Sequence, residues 1–204
     1  MGKHAQSIDS SVLRRIRAKG RGSVVSAGDL LDLGSRSAVT QALSRNVRRG
    51  VLRKVGRGLY ELPPSPGEFG MLPPSVGRVA DALARRDGVR IQPSGAHAAN
   101  LLGLSAQVPV RAMFVTDGRA RTVTIGKRQV VFKRVPARRM AAAGRMSGTV
   151  MHALLWLGKK GVNDGVVQIL RRRLGEEQKR QLLKDLRYAP TWVAEVMRKV
   201  AVDP

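Results

Sequence analysis

Between positions 63 and 74 the chain carries Pro63, Pro64, Pro66, Pro73 and Pro74, with Gly67 among them. Each proline removes a backbone donor and fixes its own φ, so no helix or sheet ladder continues through such a stretch. An extended, semi-rigid spacer is the expected result. The 204 residues therefore divide into a first half, 1–62, a proline-rich linker, 63–74, and a second half, 75–204. Hydrophobic residues make up 43% of the chain and aromatics only 3%, so each core has to rest on Leu, Val, Ile and Ala.

In the first half, Val12, Leu13 and Ile16 recur at helical spacing within 9–18, and Lys19-Gly20 closes that helix. Val24-Val25 is a short extended piece. Ser26, with Asp29 three residues on, has the form of a capping box and opens a short helix over 27–33. Gly34 supplies a turn. Ser35 then caps a longer helix to about Arg49, which Gly50 terminates. Residues 52–55 and 59–62 form a hairpin around Gly56-Arg57-Gly58. The order helix, short strand, helix, turn, helix, hairpin is that of a winged helix-turn-helix.

The second half is mixed. Helices are expected over 76–86 and, capped by Ser94, through Leu102, and strands over 89–91, 112–116, 121–125 and 130–135, with Gly126 turning between the last two. Thereafter the pattern is helical: about 149–159, 164–173 capped by Asn163, 176–187, and 190–201. The expected fold class is α+β, a winged helix-turn-helix followed by a mixed α/β domain ending in helices.

Charge narrows the partners. Lys and Arg number 38 against 14 Asp and Glu, a net +24. Residues 1–62 hold 13 basic and 4 acidic side chains, a net +9, and the remainder 25 and 10, a net +15. So large an excess repels itself unless a polyanion shares it, and nucleic acid does so with release of condensed counterions. The absence of cysteine excludes disulfides, thiolate zinc sites and thiol catalysis. No run approaches the ~18 apolar residues of a membrane span. The stretch 1–10 is polar, and Gln6 stands where a myristoylation signal wants Ser or Thr. A cytoplasmic protein is expected.

On the helix from Ser35 to Arg49, Val39, Ala42, Leu43 and Val47 fall together at 100° per residue as the buried stripe. Ser37, Gln41, Ser44 and Arg48 fall opposite, flanked by Thr40 and Arg45. Solvated faces usually mix both signs, whereas this one has hydrogen-bonding and cationic groups and no acid. A helix in the major groove needs such a set: donors and acceptors for base edges first, cations for phosphates after. Arg53, Lys54 and Arg57 lie in or beside the wing, where a Gly-Arg-Gly tip lets the backbone approach a duplex. Ser35 completes the DNA-contacting set. Asn46 stands where an apolar residue is expected, so it needs a partner or the helix is rotated from this assignment.

No catalytic constellation emerges, and no cofactor or metal is expected. His4, His97 and His152 are far apart in sequence. Asp117-Gly118 reads as a loop, Gly126-Lys127 lacks the rest of a phosphate loop, and Glu176-Glu177 suit a helix N-terminus. The cations from Arg171 to Arg187 read as solvated helix faces, interrupted by Glu176, Glu177 and Asp185.

The run Ala42-Leu43-Ser44-Arg45…Val47-Arg48-Arg49-Gly50…Leu52…Lys54-Val55-Gly56-Arg57-Gly58-Leu59-Tyr60 resembles the winged-helix domain of AbiEi-type antitoxins, from type IV toxin–antitoxin systems. The tail, from Ala153-Leu154…Leu157-Gly158-Lys159 to Asp185-Leu186-Arg187-Tyr188-Ala189-Pro190-Thr191-Trp192, is similar to a related group of short antitoxin-like proteins. The resemblance implies an N-terminal domain that represses its own operon and a C-terminal domain that counters a nucleotidyltransferase-like toxin. It puts the DNA contacts on Ser37, Gln41, Ser44, Arg45, Arg48 and Arg57. The partners expected are thus double-stranded DNA at repeated sites in its own promoter and that toxin. In solution a monomer or weak dimer is expected, loading cooperatively on DNA. A stand-alone regulator without a toxin and an RNA-binding protein are the rival readings.

Overall fold

Ser7 accepts the amide of Ser10 and starts helix α1 (Ile8–Ala18) in a computed structural model that describes residues 7–65 and 72–202. Residues 1–6, with His4, and residues 66–71 of the proline-rich linker lie outside the described residues. The chain divides into two compact units. The first runs to Gly88 and takes in Thr124–Gly126, and the second holds the remainder.

In the first unit, α1 is followed by β1 (Val24–Val25), a 3-10 helix (Ala27–Leu33), α2 (Arg36–Arg48), β2 (Arg53–Gly56) and β3 (Leu59–Glu61). The element expected as an α-helix over 27–33 is thus a 3-10 helix. Its start is held by Asp29, whose carboxylate accepts the Ser26 amide at 2.7 Å and the Ser26 hydroxyl at 3.0 Å. Ser35 accepts the Ala38 amide at 3.3 Å and caps α2. The strands form one antiparallel sheet in the order β1-β3-β2, with Val24 and Arg53 both opposite Glu61. The turn between β2 and β3 needs a left-handed residue, and Gly58 supplies it at φ +68. Val12, Ile16, Leu30, Val39 and Leu43 are fully buried and fill the core with Val25, Ala42, Leu52, Tyr60 and Leu62. Full burial of each Leu or Ile contributes roughly 1.5–3 kcal/mol.

Helix α3 (Val76–Asp87) also belongs to this unit. Arg78 donates to the Arg21 carbonyl at 2.7 Å, Arg85 to the Val24 carbonyl at 2.9 Å, and Arg86 to the Arg57 carbonyl at 3.0 Å. Arg85 also pairs with Asp29 at 3.0 Å. By packing, α3 thus sides with the first unit, whose contacts run to Gly88. Prolines interrupt backbone ladders, but they do not stop the next helix from packing back on the domain it left.

After Gly88 come β4 (Ile91–Pro93), α4 (Gly95–Leu101), β5 (Arg111–Thr116), β6 (Arg121–Ile125) and β7 (Arg128–Arg134), all in the second unit but for Thr124 and Ile125 of β6. These make a sheet in the order β4-β5-β7-β6, in which β5 and β7 run parallel and Val115 stands opposite Lys133. A 3-10 turn (Ala137–Met140) leads to α5 (Met146–Gly161), α6 (Asp164–Arg173), α7 (Glu176–Asp185), a second 3-10 turn (Leu186–Tyr188) and α8 (Thr191–Ala201). Leu154, Leu170, Leu182, Val193 and Met197 are wholly buried in the core that these helices share with α4. Two polar ties fix the start of α5. Gln92 of β4 donates to Thr149 at 2.8 Å, and buried Asp185 accepts from Ser147, from Gln181 at 3.1 Å and from Arg145 at 3.2 Å.

Candidate nucleic-acid interface

Helix α2 buries Val39, Ala42, Leu43 and Asn46, while Val47 is only half-buried. The buried stripe is thus turned slightly from the expected one. Asn46 finds its partner on its own helix, donating to the Ala42 carbonyl at 2.9 Å. Its carbonyl accepts the amides of Val51 and Leu52 at 3.0 and 3.2 Å, which fixes the chain's exit toward the hairpin. A buried amide with a partner of this kind costs little.

That rotation leaves Ser37, Thr40, Gln41 and Arg48 exposed and Ser44 half-buried, on a helix that contains no acid. Ser35 is exposed as well, with its hydroxyl engaged in the cap. On the hairpin, Lys54 and Arg57 are exposed. Arg36, in the first turn of α2, is an exposed cation that the sequence reading left out.

Two of the expected contact residues face acids instead. Arg45 grips Asp9 of α1 through Nε at 2.9 Å and Nη2 at 2.5 Å, and Arg49 approaches the same carboxylate at 3.5 Å. The Arg45 hydrogen bonds hold the Asp9 carboxyl below its ordinary range, against the opposing effect of burial. Arg53 pairs with Glu61, whose side chain is 2% exposed, so this guanidinium supplies the charge that keeps a buried carboxylate tolerable within the sheet. Both residues of the expected DNA-contacting set thus also have a structural task. Arg45 ties α1 to α2, and Arg53 ties β2 to β3. Periodicity along one helix cannot reveal a partner that lies 36 residues away.

Elsewhere, the described residues contain no group of three or more His, Asp or Glu that could hold a metal, and no helix long and apolar enough to cross a membrane. Asp117 accepts from the Arg90 amide and guanidinium at 2.9 and 2.8 Å, which brings it below the ordinary carboxylate range and engages it in a loop.

A family model matches residues 11–182, which reach across both units. The chain belongs to DUF6088, a family of unknown function. Among solved structures, this DUF6088 chain is similar to the Rv2827c protein of Mycobacterium tuberculosis, at 19% identity over all of this chain and 80% of the other, with a TM-score of 0.44. No curated protein matches it.

Proposed function

We propose that this chain is an AbiEi-like antitoxin that binds double-stranded DNA and represses its own operon. In this reading its 1–62 segment is a winged helix-turn-helix, α2 enters the major groove and the β2–β3 hairpin is the wing. The observation that carries the reading is the exposed, acid-free face of α2, where Ser37, Thr40 and Gln41 precede Arg48. Hydrogen-bonding groups early and a cation late match base edges followed by phosphate. Exposed Lys54 and Arg57 on the hairpin suit the backbone or minor groove. The element order and the three-stranded sheet support the winged-helix assignment. The antitoxin half rests on the resemblance of the 42–60 and 153–192 segments to that family, and it assigns the second half the task of countering a nucleotidyltransferase-like toxin.

Fluorescence anisotropy of the full chain on a duplex from upstream of its own gene, across a salt series, tests DNA binding. With ~6 phosphates contacted, log affinity falls against log salt with a slope of about −5. A slope near zero, or tighter binding to structured RNA, contradicts the proposal. Co-expression with a neighbouring nucleotidyltransferase-like gene tests the second half: rescue of growth is expected. An unrescued strain, or the absence of any such gene, reduces the reading to a stand-alone regulator.

A further inference from the structure

The second unit contains a cavity of about 450 Å³ that has no part in the DNA-binding reading. Because β5 and β7 are parallel, Met113 and Val115 stand on the same sheet face as Lys133 and Val135. Helix α5 brings Met151, His152 and Leu155 over that face, and Arg139 comes from the 3-10 turn before it. Tyr188 and Pro190, ahead of α8, close one side.

The lining has two kinds of surface. One is apolar and incompletely covered: Met113 is 38% exposed and Leu155 43%, and both line the one concavity. The other is cationic. Lys133 and Arg139 are exposed at the cavity, and among the described residues neither forms an ion pair and no Asp or Glu lines it. Between them His152 meets Ser94, Nδ1 to Oγ at 3.2 Å. Burial first, and then the charge of Arg139, lower the pKa of His152, so the ring is a neutral hydrogen-bonding group near that guanidinium.

We propose that this cavity binds a small aromatic anion, its ring on Met113, Met151 and Leu155 and its carboxylate, sulfonate or phosphate between Arg139 and Lys133. The volume lies within the ~300–1,000 Å³ of small-molecule sites, which share this build of apolar walls with a few convergent polar groups. Methionine sulfur adapts to ring edges, and arginine grips an anionic head in a fork. A nucleic-acid backbone is the poorer occupant, because it has no apolar body to fill the cavity and runs along ridges, not into pockets.

The test uses the full chain and the probe 8-anilinonaphthalene-1-sulfonate, at salt high enough to screen exposed charge. Its fluorescence is expected to saturate on the native protein. Arg139→Gln with Lys133→Gln raises the Kd about tenfold. The exposed pair Lys159→Gln with Lys160→Gln, at the far end of α5, leaves it unchanged. Equal weakening by both pairs, or none by the cavity pair, overturns the proposal, as does displacement of the probe by a short DNA duplex. All four exposed positions tolerate Gln, and matching melting curves confirm that each variant is folded.

Discussion

Asp9 shows how one carboxylate changes the reading of a basic helix. It holds Arg45 and draws on Arg49, so two cations of the α2 region are spoken for before any DNA arrives. Asp9→Asn releases them. DNA affinity at low salt is expected to rise, with the salt slope steepened by about 0.9 for each arginine that reaches a phosphate. Weaker binding by this variant in anisotropy would mean that the tie to α1 matters more for holding α2 than for restraining charge. The two half-buried histidines make a second claim at this scale. The His97 ring lies tilted against Phe114, centroids 5.0 Å apart, with its buried Nε2 unpartnered among the described residues, and burial lowers its pKa, as it does that of His152. A histidine whose folded pKa lies below the ordinary 6.5 takes up its proton more readily when the chain is unfolded. The stability of the second unit is therefore complete above that value and falls as pH drops below it toward the folded pKa. On further acidification Asp117 in the second unit, and Asp9 and Asp29 in the first, all lowered, add a loss that runs from the ordinary 3.8 downward toward their folded pKa. Thermal melts from pH 8 to 5 should show a decline that His97→Phe reduces. A flat native profile, or an undiminished one in the variant, contradicts this.

At the scale of elements, much of the chain is legible from its sequence because the signals are local. Ser7, Ser35, Ser75 and Asn163 each cap a helix through their own side chain, and the capping and turn residues give the order α1, β1, 3-10 helix, α2, hairpin. What depends on contact between distant residues is not legible. The α3 guanidinia reach carbonyls of the first unit across the prolines, β7 pairs parallel with β5 in place of a simple meander, and Arg45 and Arg53 find acids outside their own pattern. The site divides in the same way. Exposure of Gln41 and Arg48 follows from helical periodicity, whereas burial of Asn46 in place of Val47 does not. Two elements offer direct tests. A Cβ at Gly148 would lie 2.5 Å from the Ala142 carbonyl and 2.6 Å from Gln92 Oε1, so Gly148→Ala must push α5 away from β4. Overpacking of this kind costs about 1–3 kcal/mol, and denaturant unfolding should show it. An unchanged midpoint would mean that α5 and β4 are not held so closely. If α3 belongs to the first unit, fragment 1–88 should melt cooperatively and at a higher temperature than fragment 1–62. Equal melting would return the boundary to the prolines.

For the whole molecule, the net charge of +24 governs how copies meet. Mutual repulsion opposes association in free solution and is relieved once phosphates neutralise it. In the proposed reading, one winged helix reads few base pairs among the ~10⁶ or more competing sites of a genome, so specificity asks for several copies on repeated half-sites. Light scattering should therefore give a monomer or weak dimer without DNA, and a stoichiometric gel shift two or more copies on the promoter. A tight dimer in free solution, or a single copy per operator, contradicts this. The central claim is that α2 reads bases while the hairpin and the helix end grip the backbone. Gln41 is exposed near the start of the acid-free face, where a glutamine can pair bidentately with adenine. The direct measurement is the affinity of the full chain for its operator and for random duplex, with Gln41→Ala, Arg48→Ala and Arg57→Ala compared at one salt concentration. Gln41→Ala should cost about 1–3 kcal/mol on the operator and little on random DNA, while the two arginine variants weaken both alike. If Gln41→Ala weakens operator and random duplex equally, α2 does not lie in the major groove.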